Sequence, residues 1–468
     1  MAIAVFDDII ENVPKSVAVI GAAKSGIAAA KYFLSRASRV FISDVCDRGR
    51  LDGVLRENRL DGNASVESEA DGHSDKVLES ELIILSPGVR SDLDILKSAA
   101  ALGIPVWSEM ELGYRVSKAP FLAVTGSSGK STTVSLLASA MKSAGFETAL
   151  AGNIGTPVIE VTPRLSKDAV VVAEVSSFQL EAIDKFKPKV AAVINLMKNH
   201  LDRYACEDDY YNAKKLIAKN LTMGEYLVLN ADDSRLLRWA EEFKGQTKIF
   251  MFASRDCGGD CVYLSGNGIN YRMNGKSGVI IEDTAAMRIA GRHNSINACA
   301  AAAVAIAAGA DPKLIGRGLC EFGGLPHRLE LVGKVNGVPF YNDSKSTTAE
   351  SIECAVNAFG SKVVLIAGGK DKGCDFASIV GSVRKNVKSI VLIGEAKERM
   401  ASVWDGVAPI TKAATLDEAV EIAFKNAVSG EQVVFSPGCS SFDMFRNFEH
   451  RGDIFRETVN RLASRKAC

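Results

Sequence analysis

The sequence predicts an α/β protein of three domains, and three observations lead there. The chain has 468 residues, three domains' worth at about 150 residues each. Aliphatic runs rich in Val, Ile and Leu recur along its whole length, each followed by a Gly-containing turn and a helical pattern. Those runs carry few polar residues, as do strands of a parallel sheet covered on both faces.

The first group opens with SVAVIGAAKSGIAAAKYFL (16–34), continues with RVFISD ending at Asp44, and closes with LIILSPGV around Gly88. The second starts at Phe121 and runs through VVVAEVSS (170–177) and VAAVINL (190–196). The third holds VVLIAGG (363–369), SIVLIG (389–394) and QVVFSPG (432–438). The pattern breaks at SKAP near residue 117 and at GGLPHR near 324, which predicts domains over 1–117, 118–324 and 325–468. Between about 245 and 290 the chain becomes Gly-rich and polar, as in YLSGNGINYRMNG, and reads as a small antiparallel insertion. No solenoid period is present.

Lys plus Arg and Asp plus Glu both number 56, so the formal net charge is zero. No basic excess points to nucleic acid or an anionic membrane. The ten Cys residues are scattered, and CGGDC (257–261) lacks the second pair a zinc ribbon needs, so reduced cytosolic thiols are expected. The start, MAIAVFDDIIENVPK, carries early acids and no apolar core of a secretory signal. The most apolar helix candidate, Ala298–Ala310, is too short to span a bilayer. A cytoplasmic enzyme, monomeric and without membrane insertion, is the expectation.

Residues 121–133, FLAVTGSSGKSTT, are the most informative stretch. A Gly-rich turn leading into a helix aligns backbone N–H groups for a polyphosphate. Gly126, Ser127, Ser128 and Gly129 form the turn, Lys130 supplies a positive charge, and Ser131 or Thr132 can place a hydroxyl on Mg²⁺. The loop is shorter than an ordinary P-loop, since Val124 stands where that pattern has its first Gly. The central domain is therefore read as a P-loop-type ATP-binding domain, with Rossmann-like domains before and after it.

In the first domain, Gly21 and Gly26 follow a strand and precede Asp44 at roughly the spacing of a dinucleotide fingerprint. Ala23 replaces the middle glycine and its Cβ hinders approach to a pyrophosphate. Three readings stay open: NAD, which Ala23 disfavours; another nucleotide diphosphate on this surface; or glycines that only allow close helix–strand packing.

With TGSSGKSTT as anchor, AGNIGTP (151–157), EVSSFQLE (174–181), NLMKNHLDRY (195–204), YYNAKKL (210–216), GRHNSINA (291–298), GLPHRLE (324–330), NDSKSTT (342–348), GGKDKG (368–373) and SPGCSSFDMFRNFEHRG (436–452) fall into the order of the Mur ligases. The chain resembles that family over nearly its whole length. GNIG, SSFQLE and the NFEHRG block match its D-glutamate-adding branch, and the DNPR-type motif of the diamino-acid branch is absent.

The resemblance implies an ATP-dependent ligase that joins D-glutamate to UDP-N-acetylmuramoyl-L-alanine through an acyl phosphate, using Mg²⁺ at two sites. Lys130 then matches the phosphate lysine, Glu174 and Ser131 metal ligands, and Asn153 a phosphate-facing amide. Ser176 and His200 fall where the family contacts the muramyl-alanine carbonyl region and the second metal. Lys214 matches the lysine that the family carbamylates; taken alone it looks like a surface helix lysine, with Lys215 and Lys219 as competitors. His293, Asn294 and Asn297 match adenine contacts, Arg328 a phosphate arginine and Asp343 the ribose carboxylate, while His327 reads as a packing or hinge residue. For D-glutamate the matches are Lys345, Thr347, Lys372, Ser441 and Phe448. For the uridine diphosphate they are Lys24, Ser25, Asp44 and Gly88. Two residues depart from the family pattern: Ser128 stands for Asn in the loop, and Asn199 for the Asp before the histidine. The second removes a negative charge beside the second metal position.

Overall fold

The computed structural model describes residues 12–200, 203–289 and 291–467. The start of the chain, read above as carrying no secretory signal, lies outside the described residues up to position 11, as do Leu201 and Asp202 of the NLMKNHLDRY motif.

Among the described residues the strands form three sheets. The first contains β1 (Ser16–Ile20), β2 (Arg39–Ser43), β3 (Val66–Glu69), β4 (Leu82–Leu85) and β5 (Val106–Ser108), all parallel, in the order β3-β2-β1-β4-β5. That order reverses direction between β1 and β4, and the crevice outside the carboxyl ends there is where such sheets bind ligands. Strands β1 and β4 are buried because the run Val17–Ile20 and the run Leu82–Leu85 are apolar at every position.

The central sheet contains β6 (Phe121–Thr125), β7 (Thr148–Gly152), β8 (Val170–Glu174), β9 (Val190–Val193), β10 (Tyr226–Asn230), β11 (Lys248–Ala253), β12 (Cys261–Ser265), β13 (Gly268–Met273) and β14 (Lys276–Ile281). Its order is β14-β13-β12-β11-β10-β9-β6-β8-β7. The pairings from β7 through β12 are parallel, and β13 and β14 add antiparallel strands. The expected insertion over 245–290 is thus continuous with the central sheet. Val262 and Leu264 give β12 a buried face, and the strand pairs with β11 on one side and with β13 on the other.

The third sheet contains β15 (Glu330–Val335), β16 (Val338–Asn342), β17 (Val363–Gly368), β18 (Val387–Ile393), β19 (Ile410–Lys412) and β20 (Val433–Phe435), in the order β15-β16-β20-β17-β18-β19. Only the β15–β16 pair is antiparallel. Two apolar clusters pack on its faces, one around Leu365, Ile390 and Trp404, the other around Phe340, Val391 and Phe455.

The chain divides into two units, Met1–Ala286 with Ser295–Glu321, and Met287–Asn294 with Phe322–Cys468. The division passes through the helix Arg292–Ala307, which assigns His293 and Asn294 to the second unit and Asn297 to the first. Among the described residues no helix is long and apolar enough to cross a membrane.

Candidate active site

The loop at residues 126–129, read above as a phosphate cradle, follows from local constraints. Strand β6 is buried along its whole length, and the turn after it ends at Gly129, whose φ of +79° is a left-handed value that suits glycine. Gly129 is the N-cap of the helix Lys130–Ser143, and no side chain caps that end. The positive end of the helix dipole lies behind this turn, the electrostatics that favour an anion at a helix N-terminus. Lys130 Nζ donates to Gly126 O at 3.0 Å and to Ser127 O at 3.4 Å, so the lysine lies along its own loop.

The loop is also held from the next strand. Asn195, the residue after Ile194 at the end of the β9 run, accepts through Oδ1 from Ser127 N and Ser128 N, both at 2.9 Å, and donates through Nδ2 to Ser128 O at 3.0 Å. Ser127 Oγ completes the attachment by donating to Met197 O and accepting from Met197 N, each at 2.9 Å. Sequence reasoning missed Asn195; its only signal is being the first polar residue past an apolar strand. The side chain of Asn297 also lies against the loop, since a Cβ on Gly129 would sit 2.7 Å from its Oδ1.

Glu174 ends β8 and is 2% exposed. Its Oε1 accepts from Asn153 Nδ2 at 2.7 Å, and its Oε2 is buried with no hydrogen-bond partner. A buried carboxylate oxygen without a donor is costly unless a cation or ligand group meets it. One carboxylate beside a phosphate cradle fits Mg²⁺, which keeps several waters and takes further oxygens from bound phosphates. Among the described residues no group of three or more His, Cys, Asp or Glu could hold a metal ion.

Lys214, on the helix Glu207–Lys215, is 1% exposed, so the surface reading of this residue does not hold. Burial pushes its amine down to about 6, the positive charge of Lys130 adds to that, and Glu174 opposes it. Its Nζ lies 4.3 Å from the centre of the Tyr210 ring, and Tyr210 meets the His200 ring at 5.6 Å. Tyr210 stands one helical turn before Lys214, a spacing that places both on one face. His200 itself has a left-handed φ of +55°, and Asn199 Oδ1 accepts its N–H at 2.9 Å.

Ser176 is engaged by the fold in a way the motif search did not foresee. It caps the short helix Ser177–Leu180, accepting from Gln179 N, while Gln179 Oε1 accepts from Ser176 N at 2.9 Å. The pattern Ser-x-x-Gln in SSFQ is a capping box and was legible as one.

At the crevice of the first sheet, a Cβ on Gly26 would lie 2.0 Å from Gly21 O, so this glycine serves close helix–strand packing. The helix Lys24–Leu34 starts after Ala23 with no side-chain cap, and Ser25 lies in its first turn. Asp44 accepts from Ala22 N at 2.6 Å and Cys46 N at 2.8 Å; burial pushes its carboxyl up, but these bonds outweigh it and hold the group below its usual range. Lys24 Nζ donates to Gly155 O at 2.6 Å, tying this helix to the GNIG segment. Gly88 is exposed in the turn after β4.

In the second unit the candidates gather on loops at the carboxyl ends of β16, β17 and β20. Asp343 follows β16 and accepts from Ser436 Oγ at 2.9 Å and Leu329 N at 3.2 Å; burial pushes its carboxyl up to about 7 against these bonds and the nearby Arg328. Thr347 is exposed, Lys345 Nζ lies 5.3 Å from the centre of the Phe448 ring, and Lys372 Nζ lies 6.0 Å from that of Phe442. Ser441 is buried, and Phe448 opens the helix Phe448–Ala467, where its N–H has no intrahelical acceptor. His327 is buried, with Nδ1 3.1 Å from Asn342 Nδ2, as the packing reading expects. Burial lowers the His293 imidazole.

Comparison with known proteins identifies the family of the chain. Residues 15–108 match the family described as Mur ligase MurD-like, N-terminal domain; residues 124–305 match the Mur ligase middle domain; residues 327–439 match the Mur ligase, glutamate ligase domain. The UDP-N-acetylmuramoylalanine–D-glutamate ligase of Geotalea daltonii is 41% identical over 452 residues, covering 96% of this chain and 98% of its own. The enzyme of the same name from Thermoanaerobacter sp. (strain X514) is 39% identical, over 96% of this chain and 98% of its own. Among solved structures, the UDP-N-acetylmuramate-alanine ligase MurC of Thermotoga maritima shares the fold, with a TM-score of 0.60 at 17% identity over 96% of this chain and 99% of that one. With family matches in all three segments and relatives similar from end to end, the chain belongs to the Mur ligase family.

Proposed function

We propose that this protein joins D-glutamate to UDP-N-acetylmuramoyl-L-alanine, cleaving ATP to ADP and phosphate, in the cytoplasmic synthesis of peptidoglycan precursors. The observation that carries the reading is the cluster of Lys130, Asn153, Glu174 and Lys214 around an uncapped helix N-terminus, in a chain whose full-length relatives are named for this reaction.

The chemical difficulty is like-charge repulsion between a carboxylate and the γ-phosphate of ATP. The alanyl carboxylate oxygen attacks the γ-phosphorus and ADP leaves; the amine of D-glutamate then attacks the acyl carbon, loses a proton, and phosphate departs with its C–O electron pair. Lys130 and the first-turn N–H groups of its helix offset the charge that builds on the phosphate oxygens, in a site where such terms exceed their value in water. Mg²⁺, when bound, neutralises phosphate charge as a Lewis acid. Glu174 and Ser131 would hold one ion, and His200 with a carbamylated Lys214 a second. Carbamylation needs the free amine, and the burial of Lys214 favours that form. Asn153 faces phosphate while orienting Glu174, and Ser176 and His200 take the muramyl-alanine carbonyl region.

His293, Asn294 and Asn297 serve the adenine, Arg328 a phosphate and Asp343 the ribose. Thr347, Lys345, Lys372, Ser441 and the Phe448 amide supply donors for the two carboxylates of D-glutamate. Lys24, Ser25, Asp44 and Gly88 hold the uridine diphosphate. The domains divide at residues 117 and 324, and the protein works as a monomer.

The deciding experiment measures phosphate release from ATP with the muramyl-alanine nucleotide and a panel of amino acids. Release stimulated by D-glutamate alone is expected. Stimulation by a diamino acid or by L-glutamate in its place would defeat the reading.

A further inference from the structure

Arg203 has no assigned role, yet it joins two parts of the candidate site. Its Nη1 donates to Pro87 O at 3.3 Å and its Nη2 to Val89 O at 3.1 Å, the two carbonyls on either side of Gly88. The same Nη2 donates to Glu181 Oε2 at 2.9 Å. The guanidinium lies 4.0 Å from the centre of the Phe178 ring. Both ionic partners are largely shielded, with side chains 12% and 13% exposed. At its other end Arg203 belongs to the His200 segment: the N–H groups of Arg203 and Tyr204 both donate to His200 O at 3.0 Å. The Phe178 ring also meets the His200 ring edge-on at 5.1 Å.

Glu181 reinforces the same junction. Its Oε2 accepts from Ser91 Oγ at 2.7 Å, and its Oε1 accepts from the Tyr204 hydroxyl. One carboxylate thus holds the turn after β4 and the segment after His200 together. Only a planar, multi-donor cation fits all of these demands: two carbonyls, a carboxylate and an aromatic face.

We propose that Arg203 is a positioning residue that sets the distance between the Pro87–Val89 turn, which takes the nucleotide sugar, and His200, which faces its reacting end. This rests on the ligase reading above. A substrate held at both ends reacts well only when those ends are spaced to bring its carboxylate into attack range, and small misplacements far from the chemistry are costly. The residue touches no reacting atom in this account; it acts through the turn and the histidine.

The test compares wild type with Arg203→Gln, Arg203→Lys and Glu181→Gln, reading kcat and the KM of each of the three substrates, with thermal unfolding in parallel. Arg203→Gln is expected to lose about a hundredfold in kcat/KM for the nucleotide sugar, with a raised KM for that substrate and KM values for ATP and D-glutamate unchanged. Arg203→Lys keeps the charge and one donor and should recover part of the loss. A variant that combines Arg203→Gln with Glu181→Gln should lose less than the sum of the two single effects, because both act on one junction. Where Arg203→Gln fails to fold, Arg203→Lys carries the same KM comparison. A lower kcat with all three KM values preserved and a lowered unfolding temperature would mean only a smaller folded fraction, and would overturn the proposal; so would equal rises in all three, or wild-type kinetics. An inactive wild type would overturn the ligase reading instead, which keeps the two failures apart.

Discussion

The Asn153 carboxamide donates to Oε1 of Glu174 at 2.7 Å and leaves Oε2 as a buried oxygen with no hydrogen-bond partner. One oxygen is fixed and the other is presented. Glu174→Gln would preserve the shape and the bond to Asn153 while removing the charge. Turnover should fall by about 10²–10³, the usual cost of one electrostatic contact in a transition state, with unfolding temperature maintained. Lys130→Ala should do the same. Steady-state phosphate release decides this, and more than a tenth of wild-type turnover in both variants would refute the assignment.

Lys214 is buried beside Tyr210 and Lys130 is the like charge that helps lower its pKa. Lys214→Ala should be nearly inactive and should regain activity with acetate or another short carboxylate, which restores an anion and two oxygens. Full activity of that variant in CO₂-depleted buffer would remove Lys214 from the mechanism.

Lys372 is expected on the amino acid and not on the nucleotide. Lys372→Ala should raise the KM for D-glutamate well above that for ATP, since losing one charge-assisted bond costs about 1.5–3 kcal/mol, tenfold to more than a hundredfold. A defect confined to the ATP KM would place the residue elsewhere.

Glu109 gives a prediction about stability. It is fully buried, its Oε1 accepts from Ile159 N at 2.7 Å, and its Oε2 has no partner. Burial pushes its carboxyl up from 4.5 to about 7, aided by the charge of Glu160. Between those two values the folded protein keeps a proton that the unfolded chain has released, so this group favours folding less as pH rises through that window. Glu109→Gln should therefore gain in melting temperature relative to wild type on going from about pH 5 to about pH 8. Parallel melting curves for the two proteins across that range would show that Glu109 does not titrate there.

The buried central strands were legible because parallel strands covered on both faces are apolar throughout, as Val170–Ala173 and Leu365–Ala367 are. The short edge strands β3 and β19 were not, since Val66–Glu69 alternates polar residues on an exposed edge and Ile410–Lys412 is three residues long. The turn from β6 into the helix Lys130–Ser143 could be read from residue types alone, because glycines after an apolar run mark the break between strand and helix. Lys214 could not: a lysine's burial is decided by what packs over it, here Tyr210 and its neighbours from distant segments. Asn195 escaped for a related reason, as its bonds run to residues 68 and 67 positions earlier.

The antiparallel hairpin that finishes the central sheet has a colloidal consequence. Strand β14 is the outer edge there, and unpaired edges invite a strand from another molecule. The formal net charge of this chain is zero, so long-range repulsion does little to keep copies apart. Edge geometry bears more of that task. Lys276 opens β14, and the backbone of the helix Pro312–Glu321 comes so near that a Cβ on Gly316 would lie 2.1 Å from Ile280 O. A helix pressed against the outer strand, with a lysine at its entrance, denies an incoming strand the flat, open border it would need.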